Sequence, residues 1–203
     1  MVSMKKKTKL LIVILPILIV LGIGGFFTFR TKDIAEQPFG CPMDSYNGVI
    51  VYYNGFSRAG KGRSLANDGY NFGLKYQCVE FVKRYYYIRL HHKMPYSYGH
   101  ACSFYKKGLK DGQLNVQRNL IQYSNPGKMK PQVDDLIVFP GNKFNPYGHV
   151  AIISKVTDNE IELVQQNTGF GSRATFRLKK TGNWWKININ ALGWLRKEGR
   201  GKG

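Results

Sequence analysis

Acidic residues are scarce in this chain of 203 residues, where 12 Asp and Glu stand against 31 Lys and Arg and the formal net charge is +19. Residues 1–32 hold six of the cations and no acid, so residues 33–203 still carry 25 cations against 12 anions. This surplus favours polyanions such as nucleic acid, anionic lipid or acidic envelope polymers, without choosing among them. The cations are scattered and no nucleic-acid motif is present, so we predict anionic envelope polymers as partners of the basic surface and no specific nucleic-acid binding.

Cysteine is also rare, since the chain contains only Cys41, Cys78 and Cys102. No two of them have the close spacing of a zinc ribbon. The histidines nearest to Cys102 match no ligand spacing either: His91, His92 and His100. We therefore predict no metal and no cofactor. In an oxidising compartment, two of the three cysteines could pair and leave one thiol free.

One long uncharged apolar run covers residues 10–29. Twenty helical residues reach about 30 Å, which is enough to cross the core of a bilayer. Four lysines precede the run and only Arg30 and Lys32 follow it closely, so we predict that residues 1–30 anchor an exported domain, with the N-terminus in the cytoplasm. A cleaved signal peptide is the alternative, although no convincing cleavage site follows the run.

The remainder is predicted to be a tether, residues 31–45, and one domain, residues 46–200. Its aromatic share of 14% and 23 glycines suit a compact, turn-rich domain and not a disordered one. Residues 101–110 and 113–122 suggest short helices or irregular cover. Strands are predicted over 49–53, 135–139, 149–156 and 160–167, with further strands possible over 173–178 and 187–195. A helix-rich half followed by an antiparallel half predicts an α+β fold.

Residues 55–61 imitate the start of a phosphate-binding loop that follows a strand. The position after Lys61 must then supply a hydroxyl for magnesium, but it is Gly62. The next predicted helix also begins too late, and no second strand ends in an obvious metal-binding aspartate. We therefore predict a basic loop and no nucleotide site.

The stretch 76–87 and the residues just after it have a helical pattern with a wide apolar arc, typical of a helix packed into a core. The narrow polar stripe consists of Glu80, Lys83, Arg84, Tyr87 and His91. Cys78 lies in the first turn, where the partial positive charge of unpaired N–H groups stabilises a thiolate. A cysteine at a helix start is also commonly just a small buried apolar residue, so the position alone leaves both interpretations open.

His149 opens the second of the long strands, and its imidazole could serve as a base or be a lone polar group at a strand end. If the hairpin turns near Asp158 and Asn159, the far end of the next strand lies beside His149. That end carries Gln165 and Asn167 on one strand face. A helix-start cysteine, a strand histidine and an amide on the next strand supply the three parts that cysteine–histidine catalysis needs.

Several segments in this order resemble a CHAP domain, a cysteine- and histidine-dependent amidohydrolase/peptidase, and especially the amidase domain of glutathionylspermidine synthetase/amidase. The specific segments are Gln77-Cys78-Val79-Glu80-Phe81 and Gly148-His149-Val150-Ala151. Residues 135–139, 165–167 and 192–196 extend the resemblance, so that it covers about residues 46–196. It implies a papain-like fold in which the nucleophile helix packs on an antiparallel β-sheet, here preceded by one transmembrane helix.

By this resemblance Cys78 is the nucleophile and His149 the general base, and the oxyanion hole uses the backbone N–H of Cys78 and the side chain of Gln77. The third residue is an acid in the amidase subtype, and the matching position here is Gln165. Asn167 matches another polar position of the family, and either amide could orient the imidazole. If Cys78 stays reduced for catalysis, Cys41 and Cys102 are the pair left for a disulfide.

These features predict a bacterial amide hydrolase with its catalytic domain on the outer side of the cytoplasmic membrane. Its substrate would be a peptide or amide, and the exported location favours peptidoglycan peptides. The resemblance also allows glutathionylspermidine-type conjugates as substrates. Because Gln165 replaces an acid, a weakened cell-wall-binding module is a further alternative.

Overall fold

The computed structural model describes residues 37–55, 62–169 and 171–199. Its twelve described strands are β1 Pro42–Tyr46, β2 Val49–Tyr52, β3 Arg63–Leu65, β4 Asn71–Leu74, β5 Gln113–Asn115, β6 Leu120–Ser124, β7 Leu136–Phe139, β8 His149–Val156, β9 Glu160–Val164, β10 Arg173–Thr181, β11 Trp184–Ile187 and β12 Gly193–Arg196. One α-helix, α1, spans Cys78–Leu90, and one 3-10 turn spans Ala101–Phe104. Helix and sheet therefore occur together, as the sequence predicts.

Eight strands form one sheet in the order β11-β10-β9-β8-β7-β12-β6-β5, and every pair in it is antiparallel. β1 pairs with β2 and β3 with β4 in separate two-stranded sheets. The long strand β8 runs between β7 and β9. Its first residue, His149, is paired with Phe139, the last residue of β7. This register places the imidazole at an end of the sheet.

The apolar residues of β8 alternate between the two faces of the sheet, as strand geometry requires. Val150 and Ile152 join a core cluster that includes Phe81 and Tyr85 of α1. Ala151 and Ile153 join a second cluster on the opposite face. Burial of these large apolar groups on both faces removes their surface from water and fixes the helix against the sheet.

Two parts of the predicted polar stripe of α1 are not exposed. Glu80 and Lys83 each keep only 1% of their surface exposed, whereas Arg84 is partly buried and pairs with Glu80 at 2.6 Å. These stripe residues are buried because β2, β4 and β8 all pack against the helix. The helix ends at Leu90, and His91 follows it in the left-handed conformation with φ 48°.

Short helices or irregular cover were predicted for the middle of the chain, which agrees with residues 101–110 and is wrong for residues 113–122. Residues 101–110 contain only the short 3-10 turn, and residues 113–122 contribute β5 and the start of β6. β6 pairs with β12, which follows it by about seventy residues in the sequence, and this long-range pairing overrides the local pattern. The predicted last strand, 187–195, is instead divided between β11 and β12.

The predicted tether is partly a strand, since β1 begins at Pro42 and pairs with β2. This strand was not predicted, because most of it is exposed and its sequence is accordingly polar. The predicted anchor, residues 10–29, lies outside the described residues. Among the residues that are described, no helix is long and apolar enough to cross a membrane. The basic loop predicted near Lys61 lies mostly outside them as well.

Candidate active site

Cys78 is the first residue of α1, and its side chain is 8% exposed. Gln77, the residue before it, has extended backbone angles and places no side-chain oxygen on the helix start. The N–H groups of this first turn are therefore available to stabilise negative charge near the sulfur. The backbone N–H groups of Val79 and Val150 contact the thiol directly.

His149 forms a hydrogen bond with the thiol of Cys78, which joins the start of β8 to the start of α1. Burial alone would raise the pKa of Cys78, but the charge and hydrogen bond of His149 outweigh it and lower that pKa below its ordinary 9.0. Burial would likewise lower the pKa of His149, but the charge of Cys78 and its hydrogen bonds raise that pKa above 6.5. The two shifts together favour a thiolate–imidazolium pair.

Gln165 holds the other side of the imidazole, with its Oε1 3.1 Å from Nε2 of His149. This contact leaves Nδ1 of the ring for the sulfur. Gln165 follows the last residue of β9, and its backbone N–H donates to the carbonyl of Ser172, which keeps it beside the sheet end. An amide oxygen accepts the Nε2–H and fixes the tautomer, but it brings no negative charge to the imidazolium.

Asn167 was predicted to lie near the imidazole of His149, but its side chain is hydrogen-bonded to Gln77. Its Nδ2 donates to Oε1 of Gln77 over 2.6 Å, so it contacts the predicted oxyanion-hole residue. The strand has ended by this point, and Asn167 takes φ 65°, a left-handed conformation that asparagine tolerates better than most residues. Sequence analysis considered both Gln165 and Asn167 for orienting the imidazole, but only Gln165 contacts His149, whereas Asn167 contacts Gln77.

Gln166 is a further site residue, which sequence analysis missed, and it is only 1% exposed. Its Oε1 accepts from the backbone N–H of Tyr52 at 2.8 Å. Its Nε2 donates to the carbonyl of Gln77 at 3.1 Å and to Oε2 of Glu80 at 2.8 Å. The run of three consecutive amides at 165–167 was the available signal, because one such run is unusual where a strand leaves a sheet.

Cys78 and His149 lie in an open groove of about 720 Å³. Gln77 and Asn167 also line it, and its other walls include the segment 97–101 and the residues before His149. An extended substrate could therefore reach the sulfur from solvent. No three metal-binding side chains cluster in the described ranges, and the absence of a metal stays a prediction.

No disulfide joins any two of the three cysteines, all of which lie in described segments. The suggested Cys41–Cys102 pair is therefore not formed. The backbone around Cys41 is hydrogen-bonded to Tyr53, whereas the N–H of Cys102 donates to the carbonyl of Tyr147 beside the groove. The two cysteines are therefore held against different neighbouring segments of the fold, which the sequence alone could not show.

Comparison with known proteins agrees with this arrangement. Residues 67–167 match the CHAP domain family. The chain belongs to that family. The matched range contains Cys78, His149 and all three amides.

Curated relatives of this CHAP protein are themselves much longer. It is 32% identical to a trypanothione synthetase of Crithidia fasciculata over 74% of this chain and 24% of the relative. It is 33% identical to a glutathionylspermidine synthase of the same organism over 48% of this chain and 14% of the relative. A bifunctional glutathionylspermidine synthetase/amidase of Escherichia coli (strain K12) is 27% identical over 65% of this chain and 23% of that protein. The chain therefore spans less than a quarter of each of these relatives.

Proposed function

We propose that this protein is a cysteine-dependent amide hydrolase of the bacterial cell envelope that cleaves peptide bonds of peptidoglycan. The observation that carries the proposal is the Cys78–His149–Gln165 arrangement at an open groove. It contains a thiol with a lowered pKa, a base beside it and a group that fixes the base. The papain-like order of these parts along the chain supports the same chemistry.

In the proposed reaction the Cys78 thiolate attacks the carbonyl carbon of the scissile amide. The backbone N–H of Cys78 and the side-chain amide of Gln77 stabilise the oxyanion. His149 gives its proton to the departing nitrogen as the C–N bond breaks, which leaves a thioester on Cys78. A water molecule then loses a proton to His149 and attacks the thioester. The acid product leaves, and the thiolate–imidazolium pair is regenerated.

The envelope location in this proposal rests on the sequence. Residues 10–29 can anchor the chain, and the charge distribution around them favours export of the domain that follows. We propose that this domain faces the extracytoplasmic side, where peptidoglycan is the abundant amide-bonded polymer. The surplus of cations over residues 33–203 supports attraction to anionic envelope polymers.

A second candidate is hydrolysis of glutathionylspermidine-type conjugates. The names of the relatives favour it, since one of them is a glutathionylspermidine synthetase/amidase. A weakened wall-binding module is a third candidate, because Gln165 is neutral and stabilises the imidazolium less than a carboxylate would.

One experiment separates these candidates. Purified full-length protein in detergent is incubated with peptidoglycan and, separately, with glutathionylspermidine, and the products are analysed by mass spectrometry. We expect new amine termini in released wall peptides, and none with Cys78→Ala. Release of spermidine without any wall peptides would show that the substrate is a glutathionylspermidine-type conjugate and not peptidoglycan. Binding to peptidoglycan without any cleavage would support the wall-binding module.

A further inference from the structure

Three cations border and support the segment 96–99, whose residues 97–99 line one wall of the groove. The first is Arg63 of β3, an exposed side chain that lines the groove. Its guanidinium lies over the ring of Tyr98, 5.3 Å from the ring centroid, which holds it beside the wall. The only side-chain hydrogen bond of Arg63 among the described residues is a long one of 3.5 Å to Oδ1 of Asn71.

The second cation is Lys83 of α1, which is 1% exposed. Its Nζ donates to the backbone carbonyls of Asn71 and of Ser97, the latter at 2.8 Å. Ser97 itself lines the groove. Burial, together with the positive charges of Arg118 and Arg63, lowers the pKa of Lys83 to about 7.

The third cation is Arg118, also 1% exposed. Its Nη1 donates to the carbonyl of Tyr96 at 2.6 Å and to that of Tyr98 at 3.3 Å. Its guanidinium lies 3.8 Å from the centroid of the Phe104 ring. Burial lowers the pKa of Arg118 to about 10. Arg118 therefore supports the same wall from the protein interior.

None of these three cations forms an ion pair with a carboxylate in the described part of the chain. Among the described residues that line the groove there is also no Asp or Glu. Buried cations are normally paired with an acid, because an uncompensated charge in a low-dielectric interior is unfavourable. Arg63 and Arg118 thus keep this wall positively charged without a carboxylate partner in the described part of the chain, whereas the lowered pKa of Lys83 leaves its amine partly neutral near pH 7.

We propose that the wall 96–99 with Arg63 is a subsite that binds a free carboxylate of the substrate, so that the enzyme selects anionic wall peptides. This rests on the proposed function and adds the substrate chemistry to it. The exposed guanidinium supplies a planar pair of N–H donors that matches a carboxylate. Lys83 and Arg118 do not touch the ligand and act through the field behind the wall. A polycationic amine is disfavoured in this subsite.

Binding to the catalytically inactive full-length Cys78→Ala protein tests this subsite separately from catalysis. The probes are soluble wall tetrapeptides with free carboxylates and the same peptides with every carboxylate converted to a carboxamide, measured by calorimetry at pH 7. We expect the free form to bind at least about tenfold more tightly, because only the carboxylate can form a charge-assisted bidentate contact with the guanidinium. Arg63→Gln in the same background should remove this preference, and Arg63→Lys should keep part of it.

Arg177→Gln is the matched control, because Arg177 is an exposed arginine on β10 that does not line the groove. It should leave the preference unchanged. Equal binding of the two peptides, a preference that persists in Arg63→Gln, or no binding of either peptide would overturn the subsite. The proposed function is judged independently by whether the unmodified enzyme hydrolyses peptidoglycan.

Discussion

Asn167 and Gln77 are joined by a hydrogen bond of 2.6 Å, so Asn167 contacts the proposed oxyanion-hole residue and not the imidazole. Gln165, two residues earlier, takes the contact with His149. Two amides on one short segment thus hold the two halves of the site, one on the base and one beside the nucleophile. This division leads to separate expectations for each residue.

Cys78→Ala should abolish hydrolysis, because no other group can form the thioester. Cys41→Ala and Cys102→Ala should retain at least part of the activity, since neither is in a disulfide. Release of wall peptides measures the activity of all three variants. Thiol titration of the unfolded, unreduced protein should find three thiols, and a count of one would contradict the structure.

Alkylation of Cys78 by iodoacetamide should remain fast below pH 9, where an ordinary thiol is mostly protonated. The thiolate is present above the lowered pKa of Cys78, so its reactivity is lost only when the pH falls through that value. His149→Ala removes the main cause of the lowered pKa and leaves burial, which raises it. The rate at pH 7 should then fall about tenfold for each unit by which the pKa rises. If His149→Ala leaves the pH profile of the alkylation rate unchanged, His149 does not lower the pKa of Cys78.

Replacement of Gln165 by alanine should lower turnover by about one to four powers of ten, because the imidazole loses its orienting acceptor. Gln165→Glu should retain or improve activity, since a carboxylate stabilises the imidazolium and raises the pKa of His149. The alkaline limb of kcat/KM should accordingly move to higher pH. Circular dichroism should show an intact fold in both variants. Full activity in Gln165→Ala would mean that another group holds the ring.

Asn167→Ala should reduce kcat with little change in KM, because it frees the Gln77 amide from the orientation needed in the transition state. Gln77→Ala should cost about 10² to 10³ in kcat, as loss of one oxyanion donor does elsewhere. The double variant should be no worse than Gln77→Ala alone. Additive losses would show that Asn167 acts through something other than Gln77.

Gln166→Ala should destabilise the protein rather than change its pH profile. It removes a donor from the buried Glu80 and from the carbonyl of Gln77, and it leaves the N–H of Tyr52 without its side-chain acceptor. Each buried group left unsatisfied costs about 1–3 kcal/mol. Urea unfolding should show the loss, with the exposed Thr175→Ala on β10 as a control that leaves stability nearly unchanged.

The sequence by itself determined the parts of this protein that depend on local pattern. The period of the stretch that begins at Cys78 predicted α1, and the apolar alternation after His149 predicted β8, as the structure has them. Helical and strand periods are properties of neighbouring residues, so they can be recognised without knowing the fold. The resemblance to the CHAP family rests on the short segments around Cys78 and His149.

Only the tertiary structure decided which groups meet. Gln166 and Asn167 contact residues 86 and 90 positions earlier in the chain, and no local pattern encodes such a distance. Short β5 and β6 form because β6 pairs with the remote β12. Lys83 belongs to the polar stripe of the helical pattern, yet packing of β4 and the wall 96–99 buries it without a described acid. Hydrogen bonds and burial between distant segments depend on the assembled sheet, and for that reason the local pattern of the sequence left them undecided.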